Sequence, residues 1–290
     1  MKDHQPSSTA ERVALTRASE CLFPEINRIC SDPYSKYFLT GRLKRLYMYR
    51  YFKSCFSVFR SHHTSNISAS VLYRTRFMDD FLITLVRAGA TQIVNLGAGY
   101  DTRAIRFQEH LKNVRIFEVD HPATQKRKRS VLKRAFVAIP GNITFVPIHF
   151  DRENIKDRLF EECYNPKEST VFIWEGVSYY ISQSAVDSTL SFISANSGPQ
   201  SAIVFDFLPN EVTDGKSLIP EIRTFYEFLK NLGEELTWGC SPYLMSDLLT
   251  KKGFKDVRIF SGRQLKDIYG NNIGRNVNTS KLFFIASASL

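Results

Sequence analysis

The stretch IVNLGAGYDTR, residues 93–103, carries the strongest structural signal in this chain of 290 residues. A short apolar run ends at Gly97 and Gly99, and a helix is predicted to begin near Asp101. Without a Cβ atom, the two glycines let the backbone turn tightly and let a ligand lie directly against it. The pattern therefore predicts a strand, a glycine turn and a helix at the edge of a ligand site.

An acidic residue follows this turn at a spacing that indicates a nucleoside site. The next apolar run ends at Asp120, 21 residues after Gly99. A carboxylate about 20 residues beyond such glycines is placed to accept hydrogen bonds from ribose hydroxyls. The alternative is an ordinary strand–helix turn with an unrelated acid nearby.

The details of the turn distinguish between nucleoside cofactors. A dinucleotide fingerprint requires a third glycine where Thr102 stands. The carboxylate of Asp101 would also repel a pyrophosphate at the start of the helix. S-Adenosylmethionine has no phosphate and carries a sulfonium cation, so we predict that it is the cofactor.

Apolar runs alternate with helix-length segments along the rest of the chain. The candidate strands are residues 93–96, 114–119, 143–148, 171–174, 202–207, 257–260 and 282–286. Alternation of this kind predicts right-handed crossovers and a parallel sheet. The expected fold class is α/β, a doubly wound and mostly parallel sheet of seven strands.

The first 88 residues have a helical pattern instead. Apolar residues recur near helical spacing over residues 71–86, and the pattern closes at Gly89. We therefore expect a helical N-terminal cap over residues 1–88. Residues 89–290 are expected to form the domain that binds S-adenosylmethionine, and the two parts are expected to make one integrated unit.

The cysteine content and the distribution of apolar residues indicate which kinds of site and which cellular compartment to expect. The five cysteines are dispersed and form no CxxC pair, so neither a disulfide framework nor a zinc site is indicated, and we expect no metal. The polar N-terminus lacks the apolar run of a signal peptide, and no stretch approaches the roughly 18 apolar residues of a membrane span. These features predict a cytoplasmic protein without a transmembrane segment.

Several motifs together resemble the leucine carboxyl methyltransferase family, whose bacterial branch includes polyketide carboxyl O-methyltransferases. The glycine turn is followed by FEVDHP at residues 117–122. The motif RTRFMDD precedes it at 74–80, and ATQKRKR at 123–129 and WEGVSYY at 174–180 follow it. The resemblance covers about residues 70–185. It implies a Rossmann-like class I methyltransferase sheet with a helical cap.

The resemblance also implies a set of cofactor-binding residues. They are Arg76, Gly97, Gly99, Asp120, Asp151 and Glu175. Arg76, or alternatively Arg74, matches the arginine that pairs with the methionine carboxylate, which a guanidinium meets with two parallel hydrogen bonds. Asp151 matches the acid beside the adenine amino group, although Arg152 stands where the family has leucine. Glu175 matches the acid near the methionine moiety.

The implied acceptor is a carboxylate, on a small molecule or at a protein C-terminus. A carboxylate is already ionised at pH 7, so no general base is required and we assign no catalytic residue. A phenolic acceptor would need a base, for which His62, His63 and Glu175 are the first candidates. We expect residues 209–240 to supply much of the wall around the acceptor.

Positive charge keeps other hypotheses open. The chain has a formal net charge of +10, and residues 42–60 contain six basic residues, interleaved aromatic residues and no acid. Such a segment suits a helix that covers the site, a helix on a membrane surface or an RNA-binding element. The alternative functions are an RNA methyltransferase and a non-catalytic nucleoside-binding protein. Because the family motif itself contains the basic residues at 123–129, a nucleic acid is not the expected partner.

Overall fold

The computed structural model describes residues 6–55, 64–136 and 138–290. One sheet contains the strands β1 (Gln92–Leu96), β2 (Arg115–Asp120), β3 (Ile143–Pro147), β4 (Thr170–Trp174), β5 (Ala202–Phe207), β6 (Lys255–Ser261) and β7 (Phe284–Ser289). Their order is β3–β2–β1–β4–β5–β7–β6. Strands β1 to β5 pair in parallel, whereas β7 runs antiparallel to both of its neighbours. The predicted fold class is confirmed.

Helices flank this sheet and precede it. They are α1 (Ser8–Glu20), α2 (Gly41–Cys55), α3 (Asn66–Arg87), α4 (Arg103–Arg106), α5 (Gln108–Leu111), α6 (Pro122–Ala135), α7 (Ile155–Glu161), α8 (Gln183–Ala195), α9 (Asn210–Thr213), α10 (Pro220–Asn231), α11 (Pro242–Lys251) and α12 (Gly262–Tyr269). In the ranges described, no helix has both the length and the apolar composition needed to cross a membrane.

The central strands are apolar because helices cover both faces of the sheet. Every residue of β1, β4 and β5 is buried. Strands buried on both faces are expected to be continuous apolar runs rather than alternating ones. Strand β5 contains one exception, Asp206, which is fully buried within an otherwise apolar strand. A buried carboxylate requires a partner, and Asp206 has one in the site described below.

Helix α3 belongs to the same hydrophobic core as the sheet. Its residues Leu72, Met78 and Leu82 pack in one cluster with Ile93 of β1 and Ile173 of β4. The predicted helix over residues 71–86 is therefore present and is joined to the strands by buried apolar surface. The division of the chain into a cap and a domain at residue 88 stays a prediction, and α3 lies against the sheet.

Candidate functional site

A cavity of about 400 Å³ opens where the parallel strands end. Ligand sites of doubly wound sheets lie at this edge, and volumes from about 300 to 1,000 Å³ are typical of small-molecule pockets. Residues that follow β1, β2, β3 and β4 form its floor, and α1 forms part of its wall. The predicted residues Gly97, Gly99, Asp120, Asp151 and Glu175 all line this cavity.

The glycine turn has the conformation that its sequence predicts. Both Gly97 and Gly99 have positive φ angles, +67° and +43°, which side chains with a Cβ rarely adopt. A Cβ atom on Gly97 would lie 2.2 Å from Cγ2 of Val177. The turn therefore needs glycine at this position for two reasons, backbone conformation and close approach of a neighbour.

This requirement gives a prediction for stability. Replacing Gly97 with alanine should lower the free energy of unfolding by about 2–4 kcal/mol, from the left-handed backbone and the contact with Val177. Denaturant unfolding measures the difference. Gly141→Ala is the matched control, because Gly141 has no positive φ and no atom within 4 Å of its would-be Cβ. A change of more than about 0.5 kcal/mol in the control, or none in Gly97→Ala, would contradict this account.

Asp120 ties the end of β2 to the glycine turn. Its Oδ2 accepts a hydrogen bond from the backbone N–H of Gly99 at 2.5 Å, and its Oδ1 accepts one from the N–H of His121 at 2.6 Å. Burial raises the pKa of Asp120 to about 6, although these two hydrogen bonds oppose the shift. The carboxylate borders the cavity, where a ribose hydroxyl is able to reach it.

Arg74 lies in the cavity wall, and Arg76 does not. The guanidinium of Arg74 is buried, with its Nε 3.1 Å from Oε1 of Glu175 and its Nη1 2.6 Å from Oδ2 of Asp206. The side chain of Arg76 is about half exposed and pairs with Asp80 on the same helix at 3.1 Å. Of the two arginines named from the sequence, the structure therefore brings the second choice to the site.

The different positions of Arg74 and Arg76 have a simple helical cause. Successive residues of an α-helix are separated by about 100°, so residues two apart lie on nearly opposite faces. Helix α3 turns Arg74 toward Glu175 and leaves Arg76 beside the ring of Tyr269, 5.6 Å from its centroid. Both residues stand in the same motif, and the motif alone does not show which face meets the sheet.

Glu175 is held by several donors at once. Its Oε1 accepts hydrogen bonds from Arg74 and from the hydroxyl of Thr75 at 2.9 Å, and its Oε2 lies 2.7 Å from Nη2 of Arg103. Burial opposes ionisation, but the two guanidinium groups prevail and lower the pKa of Glu175 to about 2. Glu175 is therefore ionised at every pH at which the protein is expected to work.

These residues belong to a larger buried cluster of ion pairs. Arg103 also pairs with Asp79 at 2.7 Å and with Asp101, and Arg106 contacts both oxygens of Asp79. Among the described residues, the cluster comprises Arg17, Arg74, Arg103, Arg106, Asp32, Asp79, Asp101, Glu175 and Asp206. It contains one more carboxylate than guanidinium groups, so its net charge is negative when all are ionised. The charge of Asp101, which the sequence suggested was open to the ligand, is balanced by Arg103.

Asp151 follows β3 and borders the cavity near its rim. Its Oδ1 accepts a hydrogen bond from the backbone N–H of Ser182 at 3.0 Å, where α8 begins. This contact links the loop after β3 to the loop after β4. Asp151 lines the cavity together with His149 and Phe150, which follow the same strand.

The sequence analysis missed Arg17 and Asp206. Arg17 lies on the buried face of α1 beside Ala14 and Ala18, lines the cavity, and donates from Nη2 to the carbonyl oxygen of Tyr100 at 2.8 Å. The sequence contains a signal for both residues, because each is a charged residue within an apolar stretch. Charged side chains are almost never fully buried unless they are paired, so a buried ion-pair partner could have been expected for each.

Glu234 connects α1 to the loop after α10. Its Oε1 accepts hydrogen bonds from the hydroxyls of Ser7 and Ser8 and from the N–H of Thr9, at 3.0 to 3.2 Å. Glu234 and Glu235 both line the cavity. These two residues are the part of the expected acceptor wall, residues 209–240, that the structure places at the cavity.

Comparison with known proteins identifies the family. The family model described as leucine carboxyl methyltransferase matches residues 10–194, which is more than half of the chain. The chain belongs to the leucine carboxyl methyltransferase family. The resemblance first noted in the motifs at residues 74–80 and 93–103 is thereby confirmed. The cofactor of this methyltransferase family member is S-adenosylmethionine, as the names of its relatives state.

Individual relatives agree with this assignment. The Bacillus subtilis protein named "Putative S-adenosyl-L-methionine-dependent methyltransferase YktD" is 31% identical over 213 residues, which is 73% of this chain and 69% of that protein. A Frankia alni protein with the same type of name is 35% identical over 129 residues, 44% of each chain. The chain thus spans less than half the length of some of the relatives that it matches.

Solved structures show the same fold at low sequence identity. A DUF574 family protein from Streptomyces avermitilis has a TM-score of 0.58 and 11% identity, with 99% of this chain and 98% of that chain covered. A putative methyltransferase from Thermobifida fusca has a TM-score of 0.56 and 12% identity, with 99% and 96% covered. The fold of the whole chain, including its N-terminal helices, thus recurs in other proteins.

The residues around the cavity fit S-adenosylmethionine. The cofactor has two cationic groups and one carboxylate, and its net positive charge complements the excess carboxylate of the ion-pair cluster. Nη2 of Arg74 has no hydrogen-bond acceptor among the residues that the structure describes, and it lies 3.4 Å from where a Cβ on Gly176 would stand. A guanidinium donor without a described acceptor is thus present in the cavity wall, beside a glycine.

Proposed function

We propose that this protein transfers the methyl group of S-adenosylmethionine to a carboxylate oxygen, on a small molecule or at a protein C-terminus. The family to which the chain belongs is named for methylation of a leucine carboxyl group, which supports the acceptor class. The observation that carries the proposal is the state of Glu175. Its low pKa and its three donors make it unfit to remove a proton from an acceptor.

The cofactor is held, in this proposal, by the residues that border the cavity. Asp120 accepts the ribose hydroxyls, and Arg74 pairs with the methionine carboxylate through the nitrogen that its other partners leave available. Asp151 lies at the adenine end, and Gly97 and Gly99 let the turn approach the ligand closely. Arg74 takes the role for which Arg76 was first named.

Asp206 positions Arg74 in this arrangement. One of its carboxylate oxygens accepts from Nη1 of Arg74 at 2.6 Å, and the other accepts from the N–H of Gly176 at 2.6 Å. The same side chain therefore fixes both the guanidinium and the loop after β4. A guanidinium held in this way loses little further rotational freedom when it binds a carboxylate.

A carboxylate acceptor and a phenolic acceptor differ in whether the protein must supply a general base. When bound, the cofactor supplies an electrophilic methyl group, and the protein must hold an oxygen close to it and exclude water. A carboxylate is ionised at pH 7, whereas a phenol with a pKa near 10 needs a base. Glu175 is too weak a base for a phenol, and the other two candidates, His62 and His63, lie outside the described residues.

The pH dependence of turnover provides a direct test. With a carboxylate acceptor and saturating cofactor, we expect kcat to change less than about threefold between pH 6.5 and pH 9, because the acceptor stays ionised throughout. A phenolic acceptor would give a rate that rises toward tenfold per pH unit over the same range. The measurement is initial rate with labelled cofactor and a panel of carboxylic acids, peptides with free C-termini and phenols.

The chemical stability of the product provides a second readout. Methyl esters release volatile methanol in mild alkali, whereas aryl methyl ethers do not. Labelled product that stays non-volatile after alkali treatment, or label found only in RNA, would refute carboxylate methylation. Binding of S-adenosylhomocysteine without transfer to any member of the panel would instead support a non-catalytic nucleoside-binding protein.

A further inference from the structure

Helix α2 packs one face against the protein and exposes side chains on the opposite face. The half-buried side chains of α2 are Leu43, Tyr47, Arg50, Lys53 and Ser54. All except Lys53, which lies at the edge of the opposite face, recur every three or four residues, which places them on a single face of the helix. This face packs against α1, where Nη1 of Arg50 donates to the hydroxyl of Ser19 at 2.9 Å. Helix α2 thus lies on the outside of α1 and has no fully buried residue.

The centre of the opposite face is mostly apolar. Met48, Tyr49 and Phe52 have exposed fractions of 38%, 55% and 57%. Leu46 and Tyr51 are also exposed, at 39% and 45%, on the two sides of this centre. Such a concentration of exposed large apolar side chains on one helix is unusual, because scattered single residues are the normal pattern on a protein surface.

Basic residues lie along both edges of this mostly apolar centre, and one lies within it. Helical geometry at about 100° per residue puts Arg42 and Lys53 along one edge of the exposed face and Lys44 along the other, with Arg45 in the middle. Helix α2 contains five basic residues and no acidic residue. An apolar strip bordered by lysine and arginine is typical of helices that lie in the headgroup region of an anionic bilayer.

Two kinds of anionic partner would match the charge, and the aliphatic residues distinguish them. Single-stranded RNA binds through basic side chains and through aromatic rings on which bases stack. Leu46 and Met48 offer no stacking surface, and their exposure is of no use to RNA. A bilayer uses both features, since apolar side chains enter the acyl boundary while basic groups contact lipid phosphates.

We propose that the exposed face of α2 docks this protein on the surface of an anionic lipid bilayer. Met48 and Phe52 enter the boundary between headgroups and acyl chains, and Arg42, Lys44 and Lys53 contact the lipid phosphates. The inference is independent of the proposed function, because no residue of α2 lines the cavity. Helix α1, which does line the cavity, separates it from the bilayer.

Vesicle flotation of the full chain tests the proposal. We expect binding to vesicles of mixed phosphatidylcholine and phosphatidylglycerol to be at least tenfold tighter than to phosphatidylcholine alone, since each basic residue near an anionic surface contributes about a fivefold factor. The double variant with Met48→Ser and Phe52→Ser should lose at least tenfold in binding, because it removes the apolar contribution. The pair Lys44→Glu and Arg45→Glu should lose at least as much.

Matched controls exist on α11 and β6, away from α2. Tyr243 and Leu244 are 90% and 61% exposed, more than Met48 and Phe52, so replacing both with serine removes at least as much exposed surface as the α2 variant does. Lys251→Glu with Lys255→Glu gives the same change of charge. Neither control should reduce vesicle binding more than twofold, and thermal unfolding should show that all variants remain folded.

A spectroscopic variant reports insertion directly. In Phe52→Trp, anionic vesicles should shift the tryptophan emission to shorter wavelength, and lipids with brominated acyl chains should quench it. The wild type has only two tryptophans, Trp174 and Trp238, and both are buried, so the new signal is separable from them. Any of three results would overturn the proposal. The wild type does not bind mixed vesicles, the double variant with Met48→Ser and Phe52→Ser binds them as well as the wild type does, or the protein binds an RNA oligonucleotide through α2 in place of vesicles.

Discussion

Replacing Arg74 with lysine should reduce the affinity for S-adenosylmethionine about ten- to hundredfold, the usual value of hydrogen bonds to a charged group. Lysine keeps a positive charge near Asp206 but cannot meet a carboxylate with two parallel hydrogen bonds. Calorimetric titration measures the loss. The affinity for methylthioadenosine, which lacks the amino-acid part of the cofactor, should stay within about twofold of the wild type.

Arg76→Ala is the natural control for this result. Its exposed pair with Asp80 is of a kind that contributes at most about 1 kcal/mol to stability, and its guanidinium does not line the cavity. Cofactor affinity should therefore remain within about twofold. A selective loss in Arg76→Ala, with Arg74→Lys unaffected, would restore the arginine first named from the sequence and contradict the arrangement described above.

Arg74→Ala is expected to do more than weaken binding. It leaves the buried carboxylate of Asp206 without its cation, and uncompensated buried charges cost about 3–5 kcal/mol. We expect a large fall in unfolding free energy, measured by denaturant titration. The double variant with Asp206→Asn should recover part of that stability without recovering cofactor affinity, which separates the structural role from the binding role.

Replacing Asp120 with asparagine or alanine should also lower cofactor affinity ten- to hundredfold, because the proposed acceptor for the ribose hydroxyls is lost. Asparagine should preserve more of the fold than alanine, since its oxygen still accepts from the N–H of Gly99. An unchanged affinity in both variants would mean that the ribose lies elsewhere.

The raised pKa of Asp120 adds a pH dependence with a defined sign. Burial raises the folded-state pKa to about 6, above the ordinary value of 3.8, so the folded protein without ligand retains the proton at a pH where the unfolded chain has lost it. The ionised carboxylate therefore costs stability above pH 6, and this cost is relieved as the pH falls from 6 to 3.8. The unfolding free energy of Asp120→Asn relative to wild type should be highest above pH 6.

Cofactor binding should show the opposite trend. A protonated Asp120 accepts ribose hydroxyls less well, so affinity should fall below pH 6, by up to about tenfold per pH unit. Asp120→Asn should lose this dependence. If wild type and variant have the same pH profile for binding between pH 5 and pH 7, another group is responsible for it.

The sheet and the cofactor turn were predictable because their signals are local. Each of the seven strands overlaps a predicted apolar run, and the predicted and observed ends of the strands differ by no more than three residues. The positive φ angles at Gly97 and Gly99 follow from the absence of a Cβ atom. The contact between Gly99 and Asp120 follows from two parallel neighbouring strands that end at the same edge. Backbone geometry and strand order thus bring the glycine turn and Asp120 together at the cavity.

The sequence by itself determined the α/β sheet, its glycine turn and the acid at the end of β2, since each depends on residues close in the chain. Only the tertiary structure showed that Arg74 lines the cavity and Arg76 does not, because residues 70 to 75 of α3 are all buried and the helix has no clear polar stripe there. It likewise showed that Asp206, Glu175 and Arg103 share one cluster. Ion pairs form between residues that are far apart in the chain, and their partners depend on how helices pack on the sheet, which no local pattern specifies.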